Sequence, residues 1–291
     1  MAILVTGASG LVGRAAVAAL LRQGVEHVRA VVRDPAQVGD LRRLGAKVAL
    51  LDATDPDGLA AAMDGVFTAC SLTGSLWPRP GEDAYAAVVD PARVLLAAAR
   101  AAGVRRVVVC SPAAVATAAA EANPHLAAKA EVERLVAASG LEHAILRCTH
   151  VLGPGGRLVG LLAGGPGTDG APVPVPGSGR QLVAPVWVGD VAEAIAAADD
   201  AVELAATWSL AGPTRLTLDE LVDAARGRPV AKHHLDGNGG AGLSAVQLGV
   251  LAAESLPDPG LPGPPHPSAT PLAEALARST GPSRARVAGP P

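Results

Sequence analysis

Two ionisable side chains, His125 and Lys129, lie four residues apart in a segment that predicts a helix. Asn123 and Pro124 precede them and are typical of a helix start, because Asn caps free N–H groups and Pro fits the first turn. Residues at i and i+4 share one face of a helix, so the two side chains should lie close together. An imidazole exchanges protons near neutral pH, and an ammonium group stabilises an oxyanion. We therefore predict a proton relay, with a polar first-turn histidine and an exposed helical lysine as the alternative.

The N-terminal residues carry a phosphate-binding pattern. Residues 3–13 read Ile-Leu-Val-Thr-Gly-Ala-Ser-Gly-Leu-Val-Gly and precede an Ala-rich segment, which indicates a strand, a tight turn and a helix. The glycines let the backbone approach a pyrophosphate, which the helix N-terminus then binds. A glycine-rich turn without a ligand is the alternative. The predicted cofactor-binding residues of this segment are Thr6, Gly7, Ser9, Gly10, Leu11, Val12 and Gly13.

The end of the second predicted strand indicates which dinucleotide is bound. An acidic residue about 20 positions beyond such glycines binds the ribose 2′-hydroxyl, whereas an arginine accommodates a 2′-phosphate. Arg33 occupies that position, and Asp34 stands one step further, where the chain turns toward Pro35. The pattern favours NADP(H), with Arg14 as a candidate second phosphate contact. Ordinary exposed arginines are the alternative at both positions.

Further candidate site residues follow other predicted strands. Asp52 and Ala53 follow the third strand, Leu72 and Thr73 end the fourth, and Ser111 ends a Val-Val-Val-Cys-Ser segment. Ligands of open α/β sheets bind at the carboxyl ends of the strands, so we predict cofactor contacts at the first four positions. Asp52 is placed to meet the adenine edge, with helix capping as the alternative. Ser111 is a candidate substrate-binding residue, with a plain strand terminus as the alternative.

Composition and charge exclude several classes of function. A net charge of −3 argues against a basic surface for nucleic acid. No apolar run reaches about 18 residues without a charge, and no basic region precedes an N-terminal apolar stretch, so we predict neither a membrane span nor a signal peptide. Cys70, Cys110 and Cys148 lie outside any CxxC pair and indicate core residues in a reducing, cytoplasmic compartment. His233 and His234 lack a third ligand at metal spacing, so no metal site is predicted.

Short apolar runs alternate with Ala- and Leu-rich helical segments through the first 150 residues. Such strands are typical of a parallel sheet covered on both faces, so we predict an α/β fold with a doubly wound parallel sheet. Hydrophobic residues make up 49 % of the chain and aromatic residues only 2 %, so the core must consist of Ala, Val and Leu. The predicted helix from Tyr85 to Ala102 is interrupted at Pro91.

The second half of the chain changes in character. Residues 153–180 are dense in Gly and Pro and predict a loop region over the substrate side. Asp190 is predicted to cap a helix, and Thr217 with Glu220 forms a capping-box pattern. The last dozen residues are predicted to be frayed. We predict three segments, a Rossmann core at 1–152, substrate-side loops and a lobe interleaved with the core at 153–235, and a partly flexible Gly/Pro-rich segment with short helices at 236–291.

Several motifs occur in the order found in one known family. They are Thr6–Gly13 (TGASGLVG), Arg33-Asp-Pro, Asp52-Ala-Thr-Asp, Lys129-Ala-Glu-Val-Glu, Val186-Trp-Val-Gly-Asp and Leu210-Ala-Gly-Pro. Together they resemble the NmrA-like, isoflavone-reductase-like branch of the short-chain dehydrogenase/reductase superfamily, over roughly residues 1–230. The resemblance implies an extended Rossmann domain with a small C-terminal substrate lobe and NADPH as the usual cofactor.

The resemblance also bears on catalysis. The superfamily's usual pair is a Tyr with a Lys four residues on, but the single tyrosine of this chain, Tyr85, is followed at that spacing by Val89. His125 occupies the position of the usual Tyr. Lys129 matches the segment of the lysine that is catalytic in isoflavone-reductase-like members, and Ser111 matches the superfamily's substrate-binding Ser.

From these residues we predict an NADPH-dependent reductase that transfers hydride to a carbonyl, enone or quinone of a small organic substrate. His125 or a bound water supplies the proton, and Lys129 orients the nicotinamide ribose and stabilises charge. The Ala, Gly, Pro and Arg content is typical of GC-rich bacterial genomes, in which tailoring enzymes of secondary metabolism are common. Two alternatives are a non-catalytic NADP(H)-binding redox sensor and a non-redox isomerase or cyclase. A homodimer is compatible with each of them.

Overall fold

The computed structural model describes residues 1–77, 81–83, 85–117, 119–163, 170–201, 205–237, 240–265, 267 and 269–280. The last dozen residues, which were predicted to be frayed, are 280–291, and all of them except residue 280 lie outside these ranges. The strands are β1 (Ala2–Thr6), β2 (His27–Val32), β3 (Lys47–Leu50), β4 (Val66–Ser71), β5 (Arg106–Pro112), β6 (Glu142–Cys148), β7 (Val151–Leu152), β8 (Val173–Pro176), β9 (Leu182–Val183), β10 (Val186–Trp187), β11 (Ala205–Leu210), β12 (Leu216–Thr217) and β13 (Lys232–Leu235).

Helices connect most of these strands. They are α1 (Leu11–Arg22), α2 (Val38–Leu44), α3 (Pro56–Ala62), α4 (Ala86–Ala101), α5 (Ala119–Ala122), α6 (Pro124–Ala137), α7 (Arg157–Ala163), α8 (Val188–Asp200), α9 (Leu218–Arg226), α10 (Ala245–Ala252) and α11 (Leu272–Thr280), with short 3-10 turns at Pro35–Gln37 and Ala113–Ala116. None of the helices in the described ranges is long and apolar enough to cross a membrane.

A seven-stranded sheet in the order β11-β6-β5-β4-β1-β2-β3 forms the centre of the described chain, and its pairs are parallel. The chain starts in the middle of the sheet, moves outward through β2 and β3, and returns to the other side of β1 with β4. This reversal creates a switch point between β1 and β4, where ligands of open α/β sheets bind. The predicted doubly wound parallel sheet is therefore confirmed.

Small aliphatic side chains pack helices on both faces of the sheet. On one face, Val17 of α1 and Ile195 of α8 are fully buried in one core cluster. On the other face, Leu59 of α3, Leu95 of α4 and Val132 of α6 belong to a second cluster. Because the strands are covered on both sides, they read as continuous apolar runs.

A third core cluster lies in the C-terminal lobe. It includes Leu162 of α7, Leu221 of α9, Leu251 of α10 and Leu276 of α11. The capping box of Thr217 and Glu220 is present at the start of α9, as predicted. The prediction of a loop over 153–180 is wrong in two places, since α7 and β8 lie within it. Their apolar residues are buried against the lobe, which stabilises regular structure between the glycines.

Two local predictions are corrected by tertiary contacts. Helix α4 runs through Pro91 without interruption, because Val88 and Leu95 on either side of it are buried in the same core. This packing offsets the roughly 3 kcal/mol that a proline inside a helix costs. Asp190 does not cap α8, which begins at Val188. Its carboxylate instead accepts hydrogen bonds from the backbone N–H and hydroxyl of Thr270, at 3.2 and 2.8 Å.

Candidate active site

A cavity of about 920 Å³ opens at the carboxyl ends of the central strands. This volume lies within the range of small-molecule and cofactor sites. Fourteen of the residues selected from the sequence line it, namely Gly7, Ser9, Gly10, Leu11, Val12, Gly13, Arg33, Asp52, Ala53, Leu72, Thr73, Ser111, His125 and Lys129. The predicted cofactor and catalytic residues therefore meet in one continuous space.

The glycine loop packs too tightly for side chains at two positions. Gly7 has φ +66°, and a Cβ there would lie 2.4 Å from the carbonyl oxygen of Leu72. A Cβ at Gly13 would lie 2.2 Å from the carbonyl oxygen of Gly7. Gly10 precedes α1, and no described side chain caps this helix start. The first-turn N–H groups thus stay available for an anion, which fits a pyrophosphate.

Thr6 has a different role from the rest of the loop. It is buried under the cavity rather than along its wall, and its hydroxyl donates to the backbone carbonyl of Cys70 at 3.3 Å. This bond links the ends of β1 and β4. The structure therefore places Thr6 as a support of the loop and not among the lining residues.

The two arginines considered for a 2′-phosphate are held differently. Arg33 lies at the rim of the cavity, and its guanidinium donates to Glu82 Oε1 at 2.7 Å. Arg14 lies outside the lining residues, because its guanidinium binds Asp40 Oδ2 at 3.1 Å and Gln37 Oε1 at 2.6 Å. Of the two predicted contacts, only Arg33 faces the cavity.

Asp52 is fixed by its own loop. Its Oδ1 accepts hydrogen bonds from the backbone N–H and the hydroxyl of Thr54, at 2.9 and 2.8 Å. Helix α3 is capped by Asp55, whose side chain accepts from the N–H of Gly58. Asp52 and Ala53 thus line the cavity, as expected for contacts with an adenine edge. The alternative role of Asp52 as a helix cap is wrong, because Asp55 caps α3.

Helix α6 positions the candidate catalytic lysine. Asn123 caps the helix, as predicted, by accepting from the N–H groups of His125 and Leu126 at 3.0 and 3.3 Å. Lys129, one turn further, is buried, and its Nζ donates to the backbone carbonyl of Thr73 at 3.0 Å. The lysine therefore joins the α6 side of the cavity to the loop that follows β4.

Burial shapes the protonation of this pair. It lowers the pKa of Lys129 from its usual 10.5, with Cys110 and Glu133 opposing the shift. It also lowers the pKa of His125 to about 4, and the nearby Lys129 adds to this effect. His125 is therefore neutral at pH 7, so an imidazolium is not available there as an acid. Burial therefore disfavours the charged form of both groups of the predicted relay.

Two residues that line the cavity carry buried polar atoms without partners in the described chain. Ser111 is buried, and its Oγ makes no hydrogen bond within the described chain. The same holds for Nε2 of His150, which also lines the cavity. Two of the cysteines predicted as core residues, Cys110 and Cys148, line it as well. His234 binds Asp219, and no metal-binding cluster of His, Cys, Asp or Glu occurs among the described residues.

Several further lining residues were not singled out individually from the sequence, although Arg157 lies in the segment predicted to cover the substrate side. They are contributed by the loop before α4, by α7 and by the lobe, and include Glu82, Asp83, Arg157, Leu251 and Ser255. No local motif marks these residues, and Leu251 and Ser255 reach the cavity only when the lobe packs over the sheet. The glycine motif, by contrast, identifies its ligand without any tertiary contact.

Comparisons with known proteins agree with this geometry. The sequence matches a family described as NAD(P)H-binding over residues 7–188. A Streptomyces protein named 3-diazoavenalumate denitrifying reductase is 31 % identical over 264 residues, which span 79 % of this chain and 80 % of that protein.

Solved structures share the fold. An NADPH-dependent quinone oxidoreductase from Escherichia coli, complexed with NADPH, has a TM-score of 0.72 and 24 % identity over 94 % of this chain and 98 % of its own. A triphenylmethane reductase from Citrobacter sp., complexed with NADP(H), has a TM-score of 0.72 and 21 % identity over 96 % of this chain and 100 % of its own. At these identities the structural similarity establishes the common architecture.

Proposed function

Because this chain belongs to the NAD(P)H-binding family, we propose that it works as an NADPH-dependent reductase of a small organic acceptor. Membership in the family agrees with the NmrA-like resemblance of the sequence. The observation that carries the proposal is the single cavity that joins the glycine loop to Lys129. Such a cavity brings a dinucleotide and an acceptor into contact.

The residues on the β1 side would hold the dinucleotide. The backbone between Gly7 and Gly13 and the open N-terminus of α1 would bind the pyrophosphate. Arg33 at the rim would bind a 2′-phosphate, which favours NADP(H) over NAD(H). When bound, the cofactor supplies a hydride. Lys129, held by the Thr73 carbonyl, would orient the neighbouring ribose.

A carbonyl, enone or quinone acceptor needs a proton as well as a hydride. We assign this proton to Nζ of Lys129, because burial makes the ammonium group a stronger acid than that of a free lysine. The neutral ring of His125 would instead make a hydrogen bond without carrying charge. Ser111, whose hydroxyl has no partner in the described chain, would donate to the acceptor oxygen.

A second candidate acceptor is an aryl diazonium group. The Streptomyces relative is named for a reductase that removes nitrogen from 3-diazoavenalumate. When an aryl diazonium ion accepts a hydride, a C–H bond forms, and the C–N bond breaks with its electrons leaving in N₂. This reaction consumes no proton, so it suits a cavity with no phenol and with a neutral His125.

Turnover on matched acceptors tests the proposal. The purified protein would be given NADPH deuterated at C4 together with 1,4-naphthoquinone, an aromatic aldehyde, an enone or an aryl diazonium salt. We expect a stable C–D bond in the reduced aldehyde, the reduced enone or the arene, whereas a hydroquinone exchanges its hydroxyl deuterium with solvent, so quinone turnover is followed as oxidation of NADPH. A solvent deuterium isotope effect above one indicates the proton-consuming acceptors, and an effect of one with N₂ release indicates the diazonium acceptor.

Lys129→Met separates the reductase from its alternatives. We expect at least about a tenfold loss of kcat/KM on a carbonyl or quinone, equal to about 1.4 kcal/mol. The exposed lysine variant Lys47→Met serves as the control and should keep full activity. Retention of more than about a tenth of the activity by Lys129→Met would contradict the assignment. Tight NADPH binding without turnover on the whole panel would favour the redox sensor, and no dinucleotide binding would favour the isomerase or cyclase.

A further inference from the structure

Arg157 places a positive charge on the wall that the C-terminal lobe contributes to the cavity. It is the first residue of α7, its side chain is exposed, and it lines the cavity. Among the lining residues that follow β6 in the described ranges, Arg157 alone carries a guanidinium, ammonium or carboxyl group. The carboxylates that line the cavity all belong to an earlier part of the chain, residues 52–90. The lobe wall, defined as the lining residues after β6, therefore bears positive charge only.

The guanidinium of Arg157 is held without the use of its hydrogen-bond donors. Its central carbon lies 5.5 Å from the centre of the Trp77 ring, which is a cation–π contact. Within the described chain its side chain makes no hydrogen bond and no ion pair. The other two cations that line the cavity, Arg33 and Lys129, both donate hydrogen bonds to protein oxygens. Arg157 is thus the lining cation whose N–H donors are all available to a ligand.

The ring that supports this guanidinium is fixed by the lobe. Trp77 is half-buried and packs against the core cluster of the lobe, and its backbone N–H donates to the hydroxyl of Ser75 at 3.1 Å. The carbonyl of Leu76 accepts from Nε2 of Gln247 on α10 at 3.3 Å. These contacts hold the loop after β4 against the lobe, so Arg157 meets a positioned ring before any ligand enters.

The same loop limits the distance between this guanidinium and the candidate catalytic lysine. The carbonyl of Thr73, which binds Nζ of Lys129, belongs to a residue four positions before Trp77. An extended chain advances at most about 3.6 Å per residue, so the Cα atoms of Thr73 and Trp77 lie within about 14 Å of each other. This span is within the reach of a small organic molecule with a reducible group at one end and a charged group at the other.

We propose that Arg157 is a specificity-determining residue that selects acceptors bearing a carboxylate, which its guanidinium binds at the end of the molecule remote from Lys129. The inference rests on the proposed reductase function and specifies its substrate class. A guanidinium presents its donors in a planar fork that matches the two oxygens of a carboxylate. The stability of α7 does not explain the residue, because the first turn of a helix favours negative rather than positive side chains.

Pairs of acids and amides test this selectivity. 4-Formylbenzoate and the longer 4-formylphenoxyacetate, each with its uncharged primary amide, place the carboxylate at two distances from the aldehyde. At one or both lengths we expect wild-type protein to reduce the acid with at least about tenfold higher kcat/KM than the amide. In Arg157→Gln this ratio should fall to near one through loss on the acid, whereas Arg157→Lys keeps the charge and should retain part of the preference. An unchanged ratio in Arg157→Gln would overturn the proposal.

A matched variant and the cofactor supply the controls. Arg228 is an exposed arginine of the lobe outside the lining residues, so Arg228→Gln should keep the wild-type ratio. The phosphates of the dinucleotide are the competing anions, and the Kd of NADPH should change less than about twofold in Arg157→Gln. NADPH binding that is about tenfold weaker in this variant, with the preference for the acid intact, would assign the guanidinium to a cofactor phosphate and refute the selectivity.

A binding measurement separates this proposal from the reductase proposal. Protein with bound NADP⁺, which has no hydride to give, would be titrated calorimetrically with the same acids and amides. We expect the acid to bind about tenfold more tightly than its amide at one or both lengths, and the two to bind equally to Arg157→Gln. This readout needs no turnover, so it applies even if the chain reduces none of the aldehydes. Equal affinity of wild-type protein for acid and amide at both lengths would refute the selectivity.

Discussion

The two halves of the cavity are built by different means. The half that we propose to hold the dinucleotide, the dinucleotide half, comprises residues 7–13 with Arg33 and Asp52 and consists mainly of backbone, glycines and rim charges. The half that we propose to hold the acceptor, the acceptor half, includes His125 and His150, whose pKa values burial lowers to about 4. The first half would bind the dinucleotide, which is the same for every substrate, through the N–H groups of a helix start. The ligand preference of the second half can vary, because its side chains can be substituted without altering the backbone.

The two halves should also contribute differently to the free energy of unfolding. Phosphate recognition at a helix start requires no buried charge, so the dinucleotide half should add little strain to the fold. The acceptor half keeps two imidazoles in an environment that disfavours their charged form. We therefore expect low pH to lower the free energy of unfolding through the acceptor half. In the dinucleotide half we expect close packing to restrict which substitutions are tolerated.

The largest expected effect is a loss of stability in acid. Both histidines have folded-state pKa values of about 4 against 6.5 for an exposed imidazole, so the unfolded chain binds more protons between these values. Stability is then full above about pH 6.5 and falls as the pH decreases toward about 4, by about 3 kcal/mol for each histidine. Urea unfolding measured at several pH values checks this slope.

Single variants show which histidine causes the pH dependence of the unfolding free energy. His125→Gln and His150→Leu should each reduce the pH dependence of the unfolding free energy by about half, because each removes one of two similar contributions. The exposed His233→Gln is the control and should leave the slope as in wild type. If all three variants keep the wild-type slope, acid acts elsewhere and the proposed contrast between the halves is wrong.

The next effect concerns the glycine loop. A Cβ at Gly13 would lie 2.2 Å from the Gly7 carbonyl and 2.8 Å from Cα of Ala8, so the loop must move to admit it. We expect Gly13→Ala to weaken NADPH binding at least about a hundredfold, which is about 2.7 kcal/mol. Calorimetric titration measures this loss. Gly160→Ala is the matched helical control, because a Cβ there would contact nothing within 4 Å and binding should be unchanged.

Binding within about tenfold of wild type in Gly13→Ala would mean that the loop adjusts easily. The dinucleotide half would then be no more rigid than the acceptor half. A thermal unfolding curve of the same variant distinguishes a distorted loop from a protein that has failed to fold, since only the former keeps a cooperative transition.

The same contrast explains what the sequence could predict. The sheet, the turn after β1 and the cap of α6 depend on local periodicity and on single-residue preferences, and the structure contains all three. Asp190 and Pro91 were mispredicted because Thr270 and the buried face of α4 override local preference. The hydrogen bond of the His150 backbone N–H to Ser255 could not be predicted, because the two residues meet only after the chain has folded.

Cofactor preference should change by about tenfold in Arg33→Ala. Loss of the guanidinium at the rim removes a charge-assisted bond to the 2′-phosphate, so the Kd of NADPH should rise about tenfold while that of NADH stays constant. Fluorescence titration with both cofactors measures the ratio. Arg14→Ala is the informative comparison, because Arg14 is bound to Asp40 and its loss should not alter the ratio. A larger effect at Arg14 than at Arg33 would reverse the assignment.

The smallest expected effect comes from the carboxylate that shares Arg33. Glu82 Oε1 accepts from this guanidinium at 2.7 Å, so a 2′-phosphate must compete with it for the same donors. In Glu82→Gln this competition weakens and a negative charge near the phosphate is lost, so the Kd of NADPH should fall. We expect a decrease of about threefold, because ion pairs that are partly exposed contribute little free energy. Glu131→Gln, which removes the partner of Arg134 on α6, should change nothing. Weaker NADPH binding in Glu82→Gln would mean that Glu82 orients Arg33 for the phosphate, and the rim would then be as dependent on side-chain positioning as the acceptor half.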